Sequence, residues 1–398
     1  MKKITVRNIK HFVGYWFGHW RWIILYKLLY RIVPIDKSLV CSISWKGKYF
    51  NCSPKAIMEY ISEHDEVGLK LVAVVNNPQQ YKLDYPNIKF VRTKSVGHLI
   101  TQLSCHYFIA NVRMSEFDKK SGQIYIQTWH GMGPKKSEKD SVSVLSEKYI
   151  EDAKKDCNQT DIMLSGSKWQ SKWIKESTWY NGEILEVGTP RDDCFFHDCE
   201  YAEKKNRVYS AYNLNSDVKI VLFAPTFRSA GEIAQNSIKV DDLLRAFTNT
   251  MGGDFVLLLR LHPNVSKQPL PGIYAKYLSD KVFNATLYPD MQDLLCAADV
   301  LITDFSSVST EFVMQDKPCF LFIPDYTTYD RGLYFKPEEM PFPYSFNDKG
   351  LIKNVEMFDM DSYKKKLYAY KQRIGMIEDG HACEKIVQYF RSKCNKSC

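Results

Sequence analysis

The sequence has no CxxC pair among its eleven cysteines, no internal repeat, no low-complexity tract and no uninterrupted apolar run of bilayer-spanning length. Scattered cysteines in a chain too large to need disulfide staples point to free thiols in a reducing cytosol, and no signal-peptide pattern opens the chain. Charge of one sign is also scarce. Fifty-four basic against 46 acidic side chains leave +8 over 398 residues, an excess compatible with nucleic acid, anionic lipid or phosphorylated substrates alike. What is present is a 45% apolar composition with 25 Tyr, 22 Phe and 8 Trp, which excludes a disordered, collagen-like or coiled-coil chain. The length predicts two domains or one large one.

The segment Phe12 to Val33 is dense in aromatic and aliphatic residues, but Arg21, Lys27 and Arg31 break it into runs shorter than the roughly 20 residues a bilayer requires. Wound at about 100° per residue, Lys10, Arg21, Lys27 and Arg31 share one side, with Trp22, Leu25, Tyr26, Leu29 and Val33 opposite. Two readings fit: an amphipathic helix lying in the headgroup layer, or a core helix with snorkelling cations. Residues 1–36 are therefore set apart as an amphipathic aromatic and basic segment.

After Pro34, short β-rich runs alternate with helical stretches, the pattern of α/β units with parallel strands. The predicted strands are Leu39–Ser44, Leu69–Val75, Ile88–Val91, Tyr107–Ala110, Ile124–Gln127, Ile162–Ser165 and Ile184–Val187, then Val218–Ala224, Phe255–Leu261, Val282–Phe283, Val300–Thr303 and Cys319–Ile323. A polar helix near Tyr201 to Asn213 separates the two series. The boundaries read as a first α/β domain over 37–192, a second over 193–360, and terminal helices over 361–398. Two successive α/β sheets imply a cleft with ligands at the strands' carboxyl ends.

Four strand ends carry the candidate chemistry. Gln127 to Lys136 places His130 on a strand-ending loop just ahead of Gly131 and Gly133, with Lys135 and Lys136 supplying charge for an anion. Phe223 to Arg228 ends a strand in a proline turn and an arginine. In Arg260-Leu261-His262, period-two alternation puts guanidinium and imidazole on one face, able to grip one ligand. The run Asp299 to Phe312 reads as strand, tight turn and helix, with Asp304 or Ser306 as cap. Its helix start and serine hydroxyls, Ser306 and Ser307, offer an anion site, and Glu311 stands one to two turns in.

These segments, with Gly188-Thr189-Pro190-Arg191-Asp192, Thr303 to Ser307 and Arg331-Gly332-Leu333-Tyr334-Phe335, in this order over most of residues 40 to 345, resemble the CDP-glycerol glycerophosphotransferase family of teichoic acid primases and polymerases. The resemblance implies a GT-B architecture, two Rossmann-like domains facing a cleft, with nucleotide on the second domain and acceptor and base on the first. It implies His130 as general base, with Arg260, His262, Ser306 and Ser307 cradling the diphosphate and Arg260 and His262 acting in catalysis. Glu311 falls at the ribose-contact position, and Arg228 and Arg331 at further cationic ones. Gly131, Lys135, Lys136, Arg191, Thr303 and Asp304 complete the implied substrate contacts.

This chain departs from the family's usual His-Gly-Thr-Pro-Leu-Lys-Lys by carrying Met132, Gly133 and Pro134, which leaves the acceptor open. The implied reaction moves glycerol phosphate from CDP-glycerol to a hydroxyl of a lipid-linked or polysaccharide acceptor, releasing CMP, for a teichoic-acid-like or capsular polymer. The expected setting is the cytoplasmic membrane face, held peripherally on an anionic surface, with no nucleic-acid partner, no cofactor and no metal. Asp359-Met360-Asp361 has DxD spacing but reads as a helix cap. A CDP-ribitol donor is the alternative within the same chemistry. A catalytically silent membrane-associated scaffold is the alternative outside it.

Overall fold

The computed structural model describes residues 25–64, 68–226, 238–261, 278, 280–329 and 332–395. Two all-parallel sheets make two lobes. The first has seven strands in the order β3-β2-β1-β4-β5-β6-β7: β1 Asp36–Ile43, β2 Lys70–Val75, β3 Ile88–Arg92, β4 Cys105–Ala110, β5 Ile124–Gln127, β6 Ile162–Ser165 and β7 Glu183–Glu186. The second has six in the order β10-β9-β8-β11-β12-β13: β8 Lys219–Ala224, β9 Phe255–Leu259, β10 Val282–Asn284, β11 Val300–Thr303, β12 Cys319–Phe322 and β13 Tyr344–Ser345. This is the doubly wound, GT-B-like pair of Rossmann-like lobes expected from the sequence.

The strands read as continuous apolar runs because helices cover both faces of each sheet. On the first sheet, Val40, Ile109 and Ile126 pack on one face and Cys41, Phe108 and Tyr125 on the other. Alternation does the same in the second, with Leu222 and Leu258 on one side and Val221 and Leu257 on the other. Serine and acidic caps start the covering helices: Ser167 Oγ accepts from Gln170 N–H at 3.1 Å, and Asp359 accepts from Ser362 N–H at 2.7 Å. The DxD spacing therefore belongs to a helix cap.

The chain crosses between lobes through Pro190–Phe195. It crosses again at its end, where the helix Ala382–Asn395 returns to the first lobe and buries Cys383, Ile386, Val387 and Phe390 against that sheet. Between the two crossings lies a non-covalent tie. Lys136 N–H donates to Gly332 O at 2.8 Å and Tyr334 N–H to Pro134 O at 2.6 Å, and the Tyr334 hydroxyl accepts from Trp173 Nε1 at 2.8 Å. The motif containing Leu333 is thus a strap laid by the second lobe onto the first.

Of the amphipathic N-terminal segment, residues 1–24 lie outside the described residues; residues 25–32 are helical. Leu25, Tyr26 and Leu29, on the wheel's apolar side, are half-buried, and the Tyr26 and Tyr30 hydroxyls donate to the carbonyls of Asp118 and Lys119 at 3.5 and 3.3 Å. Lys27, Leu28, Arg31 and Ile32 face outward. Among the described residues no helix is long and apolar enough to cross a membrane.

Candidate active site

Three strand ends of the first lobe converge on His130, where the sheet order reverses between β1 and β4. Past β5, buried Gln127 pins the turn by accepting from Trp129 N–H at 3.0 Å and donating to Val112 O at 3.0 Å, and Trp129 takes a positive φ of 56°. The His130 ring then lies between Trp45, after β1, at 5.0 Å and Trp129 at 4.9 Å. Nδ1 sits 2.7 Å from Asn111 O, after β4. A carbonyl only accepts, so Nδ1 carries the proton and the neutral ring keeps its lone pair on Nε2. That is the tautomer a general base requires.

Burial pushes His130 down to about 4; the Asn111 bond opposes the shift, and Arg191, Arg113 and Lys135 reinforce it. The imidazole is therefore uncharged at neutral pH. An acid limb in kcat/KM arising from His130 should fall near pH 4 rather than near 6.5, and a pH–rate profile that already drops between 7 and 6 through this residue would contradict the geometry. The same depression acts on stability. The unfolded ring binds its proton near pH 6.5 and the folded one only near 4, so this stability contribution is present above 6.5 and lost as pH falls.

The loop after His130 docks on the second lobe. Gly131 has φ 106°, and a Cβ there would come within 2.6 Å of Ser307 Oγ, 2.8 Å of Arg191 Nη2 and 2.9 Å of Glu311 Oε1. At Gly133 a Cβ would reach 3.0 Å from Ser307 N, and the Thr310 hydroxyl donates to Met132 O at 2.8 Å. Gly131, Arg191, Ser307 and Glu311, far apart in sequence, are thereby brought together, and the His130 loop abuts the turn that starts the helix Val308–Phe312. Lys135 pairs through its backbone with Leu333, and the Lys136 side chain runs beside Gly332.

Several expected substrate contacts have other partners. Thr303 Oγ1 donates to Ala224 O at 2.6 Å, and Asp304 accepts from Thr226 N–H and Oγ1–H at 3.0 and 2.7 Å. Both are buried and fasten β11 to the end of β8; Asp304 does not cap the helix, because its carboxylate reaches back across the sheet. Strand β9 stops at Leu259, and Arg260 Nη1 donates to the carbonyls of Ala285, Thr286 and Tyr288 at 2.7, 2.6 and 2.7 Å, so this nitrogen holds a loop instead of pointing at an anion. Arg191 is buried, pairing with Glu311 at 2.7 Å and with Cys52 Sγ at 2.9 Å. Glu311 is correspondingly filled: Oε1 takes Arg191 and Oε2 takes Gln292 Nε2 at 2.9 Å, so the carboxylate bridges the lobes in place of an open ribose contact. Arg228, His262 and Arg331 lie outside the described residues.

Burial raises Asp192, Glu311 and Glu378; Glu311 adds to the rise at the other two, and Arg191 offsets it at Asp192 and Glu311. Among the described residues no group of three or more His, Cys, Asp or Glu side chains converges as metal ligands. Sequence reasoning passed over Trp45, Asn111, Gln292 and Glu378. Trp45 and Asn111 follow predicted strands, and that position was the available signal; Gln292 and Glu378 sit in no motif.

The TagF wall teichoic acid polymerase structure superimposes with a TM-score of 0.80 at 24% identity, covering 99% of this chain and 100% of that one, which establishes the shared fold. The teichoic acid poly(glycerol phosphate) polymerase of Bacillus subtilis (strain 168) is 29% identical over 380 residues, 91% of this chain. The chain spans half the length of that relative. It covers 95% of the teichoic acid glycerol-phosphate transferase of Staphylococcus aureus (strain NCTC 8325 / PS 47), at 27% identity over 91% of this chain. The sequence profile of the CDP-glycerol:poly(glycerophosphate) glycerophosphotransferases matches residues 25–391, and the chain belongs to that family.

Proposed function

We propose that this chain transfers glycerol phosphate from CDP-glycerol to an acceptor hydroxyl in teichoic-acid-like polymer synthesis. The observation that carries the reading is His130, a neutral imidazole with Nδ1–H fixed on Asn111 O, at the mouth of a loop docked against Ser307. The acceptor hydroxyl gives its proton to Nε2, and its oxygen bonds to the glycerol-bearing phosphorus. The bond from that phosphorus to the bridging oxygen breaks and CMP leaves with the electron pair. Lysine charge on the loop and the second-lobe turn favour the negative charge gathering on the leaving phosphate. Incubating the protein with CDP-glycerol or CDP-ribitol and a lipid-linked acceptor, followed by mass analysis, tests this. CMP release with glycerol-phosphate additions is expected, and turnover of neither donor overturns it.

Placement at the cytoplasmic membrane face, on anionic lipid and a lipid-linked acceptor, belongs to the same proposal. Its support is the outward edge of the first helix, where Leu28 and Ile32, 55% and 61% exposed, stand one turn apart beside Lys27 and Arg31. Leu28→Glu with Ile32→Glu is expected to reduce flotation with anionic liposomes several-fold without altering CDP-glycerol turnover on a soluble acceptor. Unchanged flotation would remove this helix from membrane binding.

A further inference from the structure

We propose that Trp45 and Asn111 are positioning residues for His130: the Asn111 side chain holds the turn after β1, and the Trp45 indole on that turn walls one side of the imidazole so that Nε2 faces the acceptor hydroxyl. The proposal rests on the transfer reading above and names what aims its base.

Trp45 is hard to explain as a folding residue. It is half-buried and belongs to none of the hydrophobic clusters, and among the described residues the one ring its indole meets is His130, at 5.0 Å and an interplanar angle of 57°. Its backbone lies in the left-handed region at φ 51°, followed by Lys46 at 55° and Gly47 at 82°. A bulky side chain is strained there, and such strain persists only where neighbouring structure imposes it.

The neighbours are the ends of the next three strands. Gly47 O accepts from Asn76 N–H, after β2, at 2.7 Å, and Gly47 sits so close to Thr93, after β3, that a Cβ would lie 2.1 Å from its Cγ2. After β4, the fully buried Asn111 uses both its oxygens: Oδ1 accepts from Trp45 N–H at 2.8 Å, and the backbone carbonyl accepts from His130 Nδ1–H at 2.7 Å. One residue thus fixes both the wall and the ring it stands against. Its buried Nδ2 has no partner among the described residues; leaving a donor unpaired is unfavourable, and the use made of the oxygen accounts for an amide there.

The opposite wall is built the same way, for Trp129, at φ 56°, donates its N–H to the buried Gln127 side chain. Two left-handed tryptophans, each pinned by a buried amide oxygen, therefore flank one imidazole. Trp129 also packs against Trp173 at 5.7 Å, an anchor that Trp45 lacks among the described residues. The charged groups facing the ring are Arg191 from the passage between lobes, Arg113 beyond Asn111 and Lys135 on its own loop, all cations that disfavour a proton on it. Lys46, beside Trp45, is exposed and paired with Glu116 at 3.2 Å. Removing the indole leaves these charges in place and opens one face of the ring to water, so His130 should titrate higher.

The test reads the imidazole directly, by NMR of ring-labelled histidine in the full chain, with His130→Gln identifying its signal. In Trp45→Ala the His130 titration should rise from about 4 to about 5 or above, and kcat for CMP release from CDP-glycerol should fall about ten-fold or more while KM for CDP-glycerol stays within about two-fold. Trp45→Phe should restore both, because an aromatic wall is kept. Asn111→Leu, which removes the acceptor from Trp45 N–H, should reproduce Trp45→Ala; Trp45 is half-exposed, so its variants decide the matter if the buried substitution fails to fold. An unchanged titration or an unchanged kcat in Trp45→Ala overturns the proposal. So does full recovery in Trp45→Gly, which fits φ 51° without strain, since the backbone rather than the indole would then be at work. A raised titration in Trp45→Ala beside a wild type that releases no CMP upholds the wall and overturns the transfer reading instead.

Discussion

His130→Ala is expected to lower CMP release from CDP-glycerol by about 10²–10⁴-fold, the usual contribution of a positioned general base. The fold should survive, because His130 stands on the loop past β5, outside the hydrophobic cores, and contributes one hydrogen bond, to Asn111 O, among the described residues. Circular dichroism and the melting midpoint should therefore stay near wild type while turnover collapses. His130→Gln sharpens the test, since an amide can donate to Asn111 O yet cannot accept a proton at neutral pH. If either variant turned over normally, the base would have to be sought elsewhere. Retained donor affinity in both would locate the defect in the chemical step.

Arg191→Met should be the most destabilising single change at the lobe junction, costing about 3–5 kcal/mol as expected for breaking a buried ion pair from one side. The loss leaves Glu311 and Asp192 buried beside one another without the guanidinium. Glu311→Gln added to Arg191→Met should recover much of that loss, because a neutral amide no longer needs the cation, and a denaturant-midpoint cycle measures the coupling. The single variant should also move the acid limb of His130 upward, since Arg191 is one of the cations holding its imidazole unprotonated. A change of stability within about 0.5 kcal/mol, the range of ordinary surface substitutions, would show that the bridge contributes little.

The sheets were legible because strands buried on both faces leave short apolar runs between turn residues. Ile124–Gln127, Ile162–Ser165 and Val300–Thr303 are found at their predicted limits. The two-residue β13 has no run to detect, and β9 ends at Leu259, with Arg260 N–H still donating to Phe223 O of β8 at 2.8 Å while its side chain turns to loop carbonyls. His130 draws attention for a similar reason: it follows an apolar strand and stands just ahead of Gly131 and Gly133. Thr303 and Asp304 bond Ala224 O and Thr226 across the sheet, partners the sequence could not show because a polar residue at a strand end looks alike whether it meets a ligand or the neighbouring strand. Arg191 and Glu311 stand 120 residues apart, and nothing local marks either as the other's partner. Glu378 is recognisable only once the notch of Gly166 and Gly188 is seen around it.

The strap from Gly332 to Phe335 bears on how the two lobes hold together. Two covalent passages, through Pro190–Phe195 and through the segment leading into Ala382–Asn395, leave the halves free to rock about the line joining them. The backbone bonds from Lys136 to Gly332 and from Tyr334 to Pro134 add an anchor away from that line, alongside the Arg191–Glu311 and Lys55–Asp290 pairs, and together these oppose rocking. Separating the two halves would break these main-chain bonds, which makes a stretch of main chain, rather than a side-chain contact, the fastener at this edge.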